Sequence, residues 1–256
     1  DEPVVIPESV FDGCASITVP ERDEDIGIGL DLAAGGDEDA CFVRKGNRVI
    51  HSFFFTQANT DLAADLIDIQ LSPWKWGEYS FNADNGGVGK GTIDKLVEKG
   101  WRINRCNNQS AAYNKREYLN LGAESWMHTK RLLERRIIVV PKTHKFKEQM
   151  IGRYFVAFED ENTQGKLQLE SKKKARLNGH KSPDRADAFI LCFYSYKPPL
   201  VRVLAPANDG KVYMLLAEFI QRSSFGILRR IPTEIEPTRF TLLTGPLVET
   251  KQLTNG

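Results

Sequence analysis

Four aspartates stand in the sequence where carboxylates could take part in catalysis. Asp31 interrupts the apolar segment IGIGLDL, and Asp84 ends the segment YSFNAD just before a turn that contains two glycines. Asp184 and Asp187 both lie in SPDRADA, where the Ser-Pro pair is typical of a helix start. Residues three apart share one face of a helix, so these two carboxylates are predicted to project together.

Each of these aspartates also has a structural explanation. Asp31 could be a hydrogen-bonded structural residue, because an unpaired carboxylate is costly to bury. Asp84 could form an Asx turn or cap a helix. Acidic residues near a helix N-terminus are favoured by the helix dipole, an explanation that suits Asp184 better than Asp187. Taken singly, Asp31 and Asp84 are better explained by these structural roles.

The four carboxylates together favour a metal site. A first strand, the end of a parallel strand and a late helix can meet at one edge of a sheet, where carboxylates repel one another unless cations lie between them. Mg²⁺ and Mn²⁺ take oxygen ligands, and two such ions about 4 Å apart support in-line phosphodiester cleavage. Asp37 and Asp39 could hold a metal through water, but we expect them to be solvated. The pattern predicts a nuclease that uses two metal ions.

The order of the predicted elements indicates the fold class. Predicted strands cover 26–32, 39–45, 48–55, 79–84 and 101–106, and predicted helices cover about 60–71, 88–99, 115–135, 143–152 and 182–196. Three antiparallel strands followed by strand–helix–strand–helix is the order of an RNase H-like α/β fold of the RuvC type, with a mixed central sheet flanked by helices. An auxiliary β-hairpin is predicted over 154–170, turning at Asn162-Thr163-Gln164-Gly165, and IIVVP (137–141) precedes it as a short apolar segment.

Three regions are expected along the chain. Residues 1–25 are polar and acidic and are predicted to be a linker or irregular lead-in, and 26–196 are predicted to form the nuclease domain. Residues 197–256 are predicted to form a C-terminal extension, either a docking tail for a partner protein or, as we prefer, strands added to the core. VYMLLAEFI (212–220) is its most apolar segment.

Several segments together resemble one protein family. IGIGLDLAAGGDEDACFVRKG resembles the first-strand motif of the C-terminal nuclease domain of phage terminase large subunits, and NADNGGVGKGTIDKLVEKGW is similar to the second motif. Asn114-Lys115-Arg116, the hairpin that ends in KLQLESK, and KSPDRADAFIL follow in the family's order. The resemblance covers residues 1–196, and the ordered set is more specific than any single motif.

The resemblance implies a function and a set of site residues. It implies a metal-dependent endonuclease that cuts concatemeric viral DNA during genome packaging in the host cell cytoplasm, with Mg²⁺ or Mn²⁺ as cofactor and double-stranded DNA as substrate. The portal protein and the small terminase subunit are the implied partners of the full-length protein. The catalytic and metal-binding carboxylates fall on Asp31, Asp84 and Asp187. Asp184, where some members carry histidine, is an added or alternative ligand.

An ATPase motor domain precedes the nuclease in family members, so the chain is expected to be an excised nuclease domain. The stretch DNGGVGKG superficially suggests a phosphate-binding P-loop. Asp84 stands where that loop needs its first glycine, and Gly91 where it needs Ser or Thr to hold magnesium. We therefore expect no ATPase motif in this chain.

The formal net charge of +1 conceals an uneven distribution. Residues 1–100 carry 19 acidic and 8 basic side chains, whereas residues 101–200 carry 20 basic and 10 acidic ones. Such asymmetry indicates a charged partner, although two solvated faces are the alternative. The basic residues that lead into the last helix are predicted to contact DNA phosphates, namely Lys172, Lys173, Lys174, Arg176, Lys181 and Arg185.

Other classes of protein are disfavoured. The sequence has no apolar run of about 18 residues and no secretory signal, so no membrane association is expected. Cys14, Cys41, Cys106 and Cys192 form no CxxC pair and are expected to have no chemical role. Two alternatives to a terminase nuclease stay open: another RNase H-like nuclease, such as a junction resolvase or an RNA–DNA hybrid nuclease, and a catalytically degenerate DNA-binding module.

Overall fold

The structure of the protein is a computed structural model. It describes residues 4–18, 25–33, 35–86, 89–157, 165–177, 179, 182–195, 242–244 and 247–249. The chain divides into two compact units, residues 1–196 and residues 197–256. All four candidate aspartates lie in the first unit.

The first unit is built on a five-stranded mixed sheet with the strand order β3-β2-β1-β4-β5. The strands are β1 (Ile26–Asp31), β2 (Asp39–Lys45), β3 (Arg48–Phe55), β4 (Tyr79–Asp84) and β5 (Asn104–Cys106). Strand β1 runs antiparallel to β2 and parallel to β4, and β5 continues the parallel half. The predicted antiparallel meander followed by parallel strands is confirmed, with β5 shorter than expected.

Helices cover both faces of this sheet. They are α1 (Glu8–Ala15), α2 (Thr60–Leu71), α3 (Lys90–Glu98), α4 (Leu121–Glu134), α5 (His144–Ile151), α6 (Lys172–Leu177) and α7 (Asp184–Phe193). Between α5 and α6, β6 (Phe155–Ala157) pairs antiparallel with β7 (Leu167–Leu169), which confirms the auxiliary hairpin. The predicted turn residues 162–164 lie outside the described residues.

Alternation along β1 separates two hydrophobic cores. Successive side chains of a strand point to opposite faces of its sheet. Ile28 and Leu30 are fully buried in a cluster with residues of α2 and α3. Gly27, Gly29 and Asp31 therefore face the opposite side, where Phe42, Phe146 and Phe189 are buried in a cluster with α1, α4, α5 and α7.

Helix α7 packs directly on the backbone of β1 at its two glycines. A Cβ atom added at Gly29 would overlap the carbonyl oxygen of Ala188 and the amide nitrogen of Cys192, and one at Gly27 would lie 2.7 Å from the carbonyl oxygen of Cys192. Glycine allows this close approach because it has no side chain. Since Gly27 meets Cys192 and Gly29 meets Ala188, α7 runs opposite to β1 and its first turn lies beyond the C-terminal end of that strand.

The N-terminal segment differs from the expected linker. Val5 and Ile6 are fully buried, and Phe11 and Cys14 of α1 are buried in the same cluster as α7. The ring of Phe11 lies 5.8 Å from that of Phe146. Charge and proline content suggested an irregular lead-in, but a few apolar residues at helical spacing are enough to anchor this segment.

Smaller differences concern the ends of elements. Helix α2 begins at Thr60 as predicted and is capped by Asn59, whose side-chain oxygen accepts hydrogen bonds from the backbone N–H groups of Asp61 and Leu62. In the apolar segment 137–141, Val139 forms only an isolated bridge to Arg48.

The C-terminal unit contains the antiparallel pair β8 (Leu242–Thr244) and β9 (Leu247–Glu249), while 212–220 lies outside the described residues. Within the described part of the chain, no helix is long and apolar enough to cross a membrane.

Candidate active site

The parallel strands β1 and β4 end in aspartates at the same edge of the sheet. Their register pairs Leu30 with Ala83, so Asp31 and Asp84 are the next residues along the two neighbouring strands. We call this end of the sheet the carboxyl edge. Asp31 is only 6% exposed. This register agrees with the expectation that the first strand and a parallel strand bring Asp31 and Asp84 to one edge of the sheet.

The first turn of α7 carries two more carboxylates, which lie near the carboxyl edge on the face of the sheet that α7 covers. Asp184 and Asp187 are 5% and 6% exposed. They lie at the helix N-terminus, where the partial positive charge of the unpaired N–H groups favours carboxylates. Asn82 fixes the other end of the helix, because its side-chain amide donates to the carbonyl oxygens of Leu191 and Tyr194, both at 2.8 Å. Asn82 and Asp84 are two apart on β4 and so share the face that α7 covers.

Hydrogen bonds set the orientation of these carboxylates. The indole N–H of Trp126 donates to Asp187 Oδ1 at 3.0 Å, within the buried core. Asp84 Oδ1 accepts from the backbone N–H of Gly86 at 2.8 Å, and Asp84 Oδ2 accepts from the side-chain amide of Asn108 at 3.1 Å. The first of the two Asp84 bonds is the Asx turn that the sequence suggested. Asp84 therefore both forms a structural turn and lies at the candidate site.

The loop after β1 is tied to α7 and to the sheet by two acidic residues. Asp184 Oδ2 accepts from the backbone N–H of Glu38 at 3.3 Å. Asp39 accepts from the backbone N–H groups of Ala33 at 2.8 Å and Gln57 at 3.2 Å. Asp39 is 1% exposed, so the expectation that it is solvated is wrong. Asp37 is exposed as expected.

The negative charge of Asp84 affects the pKa of a buried cysteine, Cys106. Burial, and to a smaller extent the nearby carboxylate of Asp84, raise the pKa of the Cys106 thiol to about 12. Cys106 therefore stays a neutral thiol at physiological pH. All four cysteines are buried and unpaired, as expected for residues without a chemical role.

The donor set at the carboxyl edge suits a hard divalent cation, since it consists of carboxylate oxygens. Three of the four aspartates are more than nine-tenths buried, where uncompensated charge is costly. Within the described ranges, no three His, Cys, Asp or Glu side chains are grouped closely enough to be recognised as a metal site. The backbone thus brings the carboxylates to one edge of the sheet. Hydrogen bonds from the protein's own donors set the orientations of these side chains.

Among the residues predicted to contact DNA, Arg185 forms an ion pair and a ring contact within the protein. Its guanidinium pairs with both carboxylate oxygens of Glu38, at 2.6 and 2.9 Å, and lies 3.8 Å from the centre of the Phe54 ring. The hydrogen bond from Arg185 holds the pKa of Glu38 below its usual value, and Lys145 adds to this effect. Lys174 lies in α6, partly buried. Lys181 and the side chains of Lys172, Lys173 and Arg176 lie outside the described residues.

Sequence reasoning missed the residues that support the carboxylates. Asn108 follows β5 at the same end of the sheet as Asp84, so the strand-end argument that found Asp84 could also have found Asn108. No local pattern marks Trp126 or Gln149, because their contacts with Asp187 and with the start of α7 join residues 61 and 36 positions apart. These contacts depend on how the helices pack.

Several solved structures that this chain resembles are nuclease domains of phage large terminases. No protein-family model matches the sequence, and no curated protein matches it. The nuclease domain of the large terminase subunit gp2 of bacterial virus Sf6 aligns with a TM-score of 0.59 and 16% identity, over 76% of this chain and 100% of that one. The large terminase nuclease of thermophilic phage G20c with bound magnesium aligns with a TM-score of 0.53 and 14% identity, over 72% of this chain and 94% of that one. A mutant of the Sf6 domain was solved with manganese.

At these identities the likeness shows the fold. The chain has the fold of the phage large terminase nuclease domains, which confirms the predicted RNase H-like class. The alignments cover nearly all of each nuclease domain, so the whole architecture is shared and not one motif.

Proposed function

We propose that this chain is the nuclease part of a phage large terminase, a metal-dependent endodeoxyribonuclease that cleaves concatemeric viral DNA during genome packaging. The observation that carries the proposal is the placement of Asp31, Asp84 and Asp187 around the carboxyl edge of a sheet whose fold is shared with terminase nuclease domains. Aspartate stands at all three positions, which argues against a degenerate DNA-binding module.

Asp31, Asp84 and Asp187, with Asp184 as an added ligand, are the residues that would hold Mg²⁺ or Mn²⁺. When bound, two such ions would supply an activated water as nucleophile and stabilise the departing oxygen of the phosphodiester. Trp126 keeps one oxygen of Asp187 in place, and Asn108 and Gly86 do the same for Asp84.

Double-stranded DNA is the proposed substrate, and its path is proposed to follow the β6–β7 hairpin and the basic segment before α7. The segment 172–185 leads directly to the turn that carries Asp184 and Asp187. Phosphate contacts from lysine and arginine give affinity with little sequence reading. In the full-length protein, acting in the host cell cytoplasm, the portal protein and the small terminase subunit are the proposed partners.

Metal removal tests the proposed reaction. The protein is treated with EDTA, dialysed, and assayed on supercoiled plasmid with no addition, with Mg²⁺ or with Mn²⁺. We expect no cleavage without metal and recovery with either ion, because the proposed metal ions would neutralise the charge that develops on the phosphate. Cleavage that persists in EDTA would contradict the mechanism. Preference for a four-way junction or an RNA–DNA hybrid over linear duplex would instead favour another RNase H-like nuclease.

Charge reversal tests the proposed DNA path. In a variant with Lys172, Lys173 and Lys174 changed to glutamate, we expect duplex DNA affinity to fall at least about tenfold, and the slope of log affinity against log salt to decrease by as much as about 3. Lys45→Glu is the control, because Lys45 pairs with Ile26 at the opposite end of β1 from Asp31. Fluorescence anisotropy over a salt series measures both quantities. Affinity that is unchanged at every salt concentration would refute the proposed path.

A further inference from the structure

Helix α7 begins without a capping side chain of its own. Its N-cap residue is Pro183, which makes no side-chain capping bond, and the hydroxyl of Ser182 bonds to the side chain of Asp184 instead of to the helix backbone. The Ser-Pro pair precedes the helix as predicted, but Ser182 does not cap it. The first N–H groups of a helix have no partner within the helix, and a buried N–H without one is costly.

Gln149 of helix α5 supplies the missing cap from a distance. Its side-chain oxygen accepts hydrogen bonds from the backbone N–H groups of Arg185 at 2.9 Å and Ala186 at 3.2 Å. Its side-chain NH₂ donates to the carbonyl oxygen of Ser182 at 3.1 Å. One amide thus holds both Ser182, two residues before the helix, and two N–H groups of the first turn, which carries Asp184 and Asp187.

Helix α5, which carries Gln149, is held in place by buried side chains next to this contact. Phe146 lies one turn before Gln149, is fully buried, and places its ring 5.0 Å from Phe189 of α7 and 5.4 Å from Phe42 of β2. Met150, next to Gln149, is also fully buried. The side chain that caps α7 is therefore held by the same aromatic cluster that packs α7 on the sheet.

We propose that Gln149 is a positioning residue of the candidate active site, which sets the place of Asp184 and Asp187 by capping α7 across the α5–α7 interface. The proposal rests on the function proposed above. Gln149 binds the backbone of the turn and none of the four aspartates.

Two variants separate positioning from simple stability. Gln149→Met keeps the length of the side chain and loses all three hydrogen bonds, whereas Gln149→Glu keeps an acceptor for Arg185 and Ala186. For Gln149→Met we expect Mn²⁺ affinity and kcat each to fall about tenfold, at the lower end of the effects of residues that support metal ligands, with KM for DNA within about twofold. Gln149→Glu is expected to recover most of the loss. Gln70→Met is the control, because it removes an exposed hydrogen bond to His51 at the far end of α2.

Amide hydrogen exchange gives a measurement that does not depend on activity. Exchange of the Arg185 and Ala186 amides is expected to accelerate about tenfold or more in Gln149→Met and to stay slow in Gln149→Glu and Gln70→Met. Calorimetric titration with Mn²⁺ is carried out on the same proteins well below their unfolding temperatures. Unchanged exchange, or unchanged Mn²⁺ affinity and kcat in Gln149→Met, would overturn the positioning role, and so would a Gln149→Glu variant as impaired as Gln149→Met. A wild-type protein that shows slow exchange at these amides but neither binds Mn²⁺ nor cleaves DNA would refute the proposed function, and the positioning role with it.

Discussion

Asp31→Asn is expected to abolish DNA cleavage while leaving the protein folded. Asparagine has nearly the shape of aspartate, so the packing of β1 at the carboxyl edge is retained, but the charge that would bind a divalent cation is lost. Metal ions at such sites supply several kcal/mol of transition-state stabilisation, so we expect cleavage to slow at least about a thousandfold. Plasmid cleavage under single-turnover conditions with Mn²⁺ measures the effect, and thermal unfolding checks the fold.

Asp37→Asn is the matched control for this experiment. Asp37 lies on the loop just after β1 and is exposed, whereas Asp31 is buried. Both substitutions remove one negative charge from the same part of the molecule, so a general electrostatic effect would appear in both. Cleavage by Asp31→Asn within tenfold of the wild-type rate would rule out Asp31 as a metal ligand. The same test extends to Asp84 and Asp187.

Gly29→Ala is expected to destabilise the protein by about 4 kcal/mol or more, which is large for a single methyl group. The new Cβ would overlap backbone atoms of Ala188 and Cys192, and backbone cannot move aside as the end of a flexible side chain can. Relief of this overlap requires α7 to move away from β1. That movement would displace Asp184 and Asp187 and empty part of the core around Phe189. Urea unfolding followed by circular dichroism measures the loss of stability.

Gly77→Ala provides the comparison. An added Cβ at Gly77 would lie 3.6 Å from its nearest neighbour, the carbonyl oxygen of Trp74, which is an ordinary contact. Its effect is therefore expected to stay within about 0.5 kcal/mol. If Gly29→Ala changed the free energy of unfolding as little as Gly77→Ala does, α7 could not be packed on the β1 backbone as described.

Local sequence patterns were a good guide to the sheet and to the positions of the carboxylates. Strands β2, β3 and β4 and helix α2 have the bounds that hydrophobic periodicity predicted. Asp31 and Asp84 were identifiable because each breaks or ends an apolar strand, and strand ends meet at the edge of a parallel sheet. Two of the predicted structural roles are also present, since Asp84 forms an Asx turn and Asp184 lies in the first turn of a helix.

Features that depend on contacts between distant residues were not predictable in this way. Helix α1 was expected to be part of a linker. Its burial comes from Phe146 and neighbours more than a hundred residues away, which local sequence patterns do not reveal. Asp39 was expected in solvent, but the chain folds back so that Ala33 and Gln57 donate to it. The capping of α7 by Gln149 likewise follows from the packing of α5 against α7.

Local sequence patterns were enough to identify the residues that this protein could use for chemistry and the elements that carry them. Side-chain type and strand or helix period are local properties, so they can be recognised without the fold. How these residues are held became visible only in the packed fold: α7 lies antiparallel on the glycines of β1, Trp126 fixes Asp187, and Arg185 is paired with Glu38. Those contacts arise from helix and sheet packing between segments far apart in the chain, which leaves no mark at either position alone.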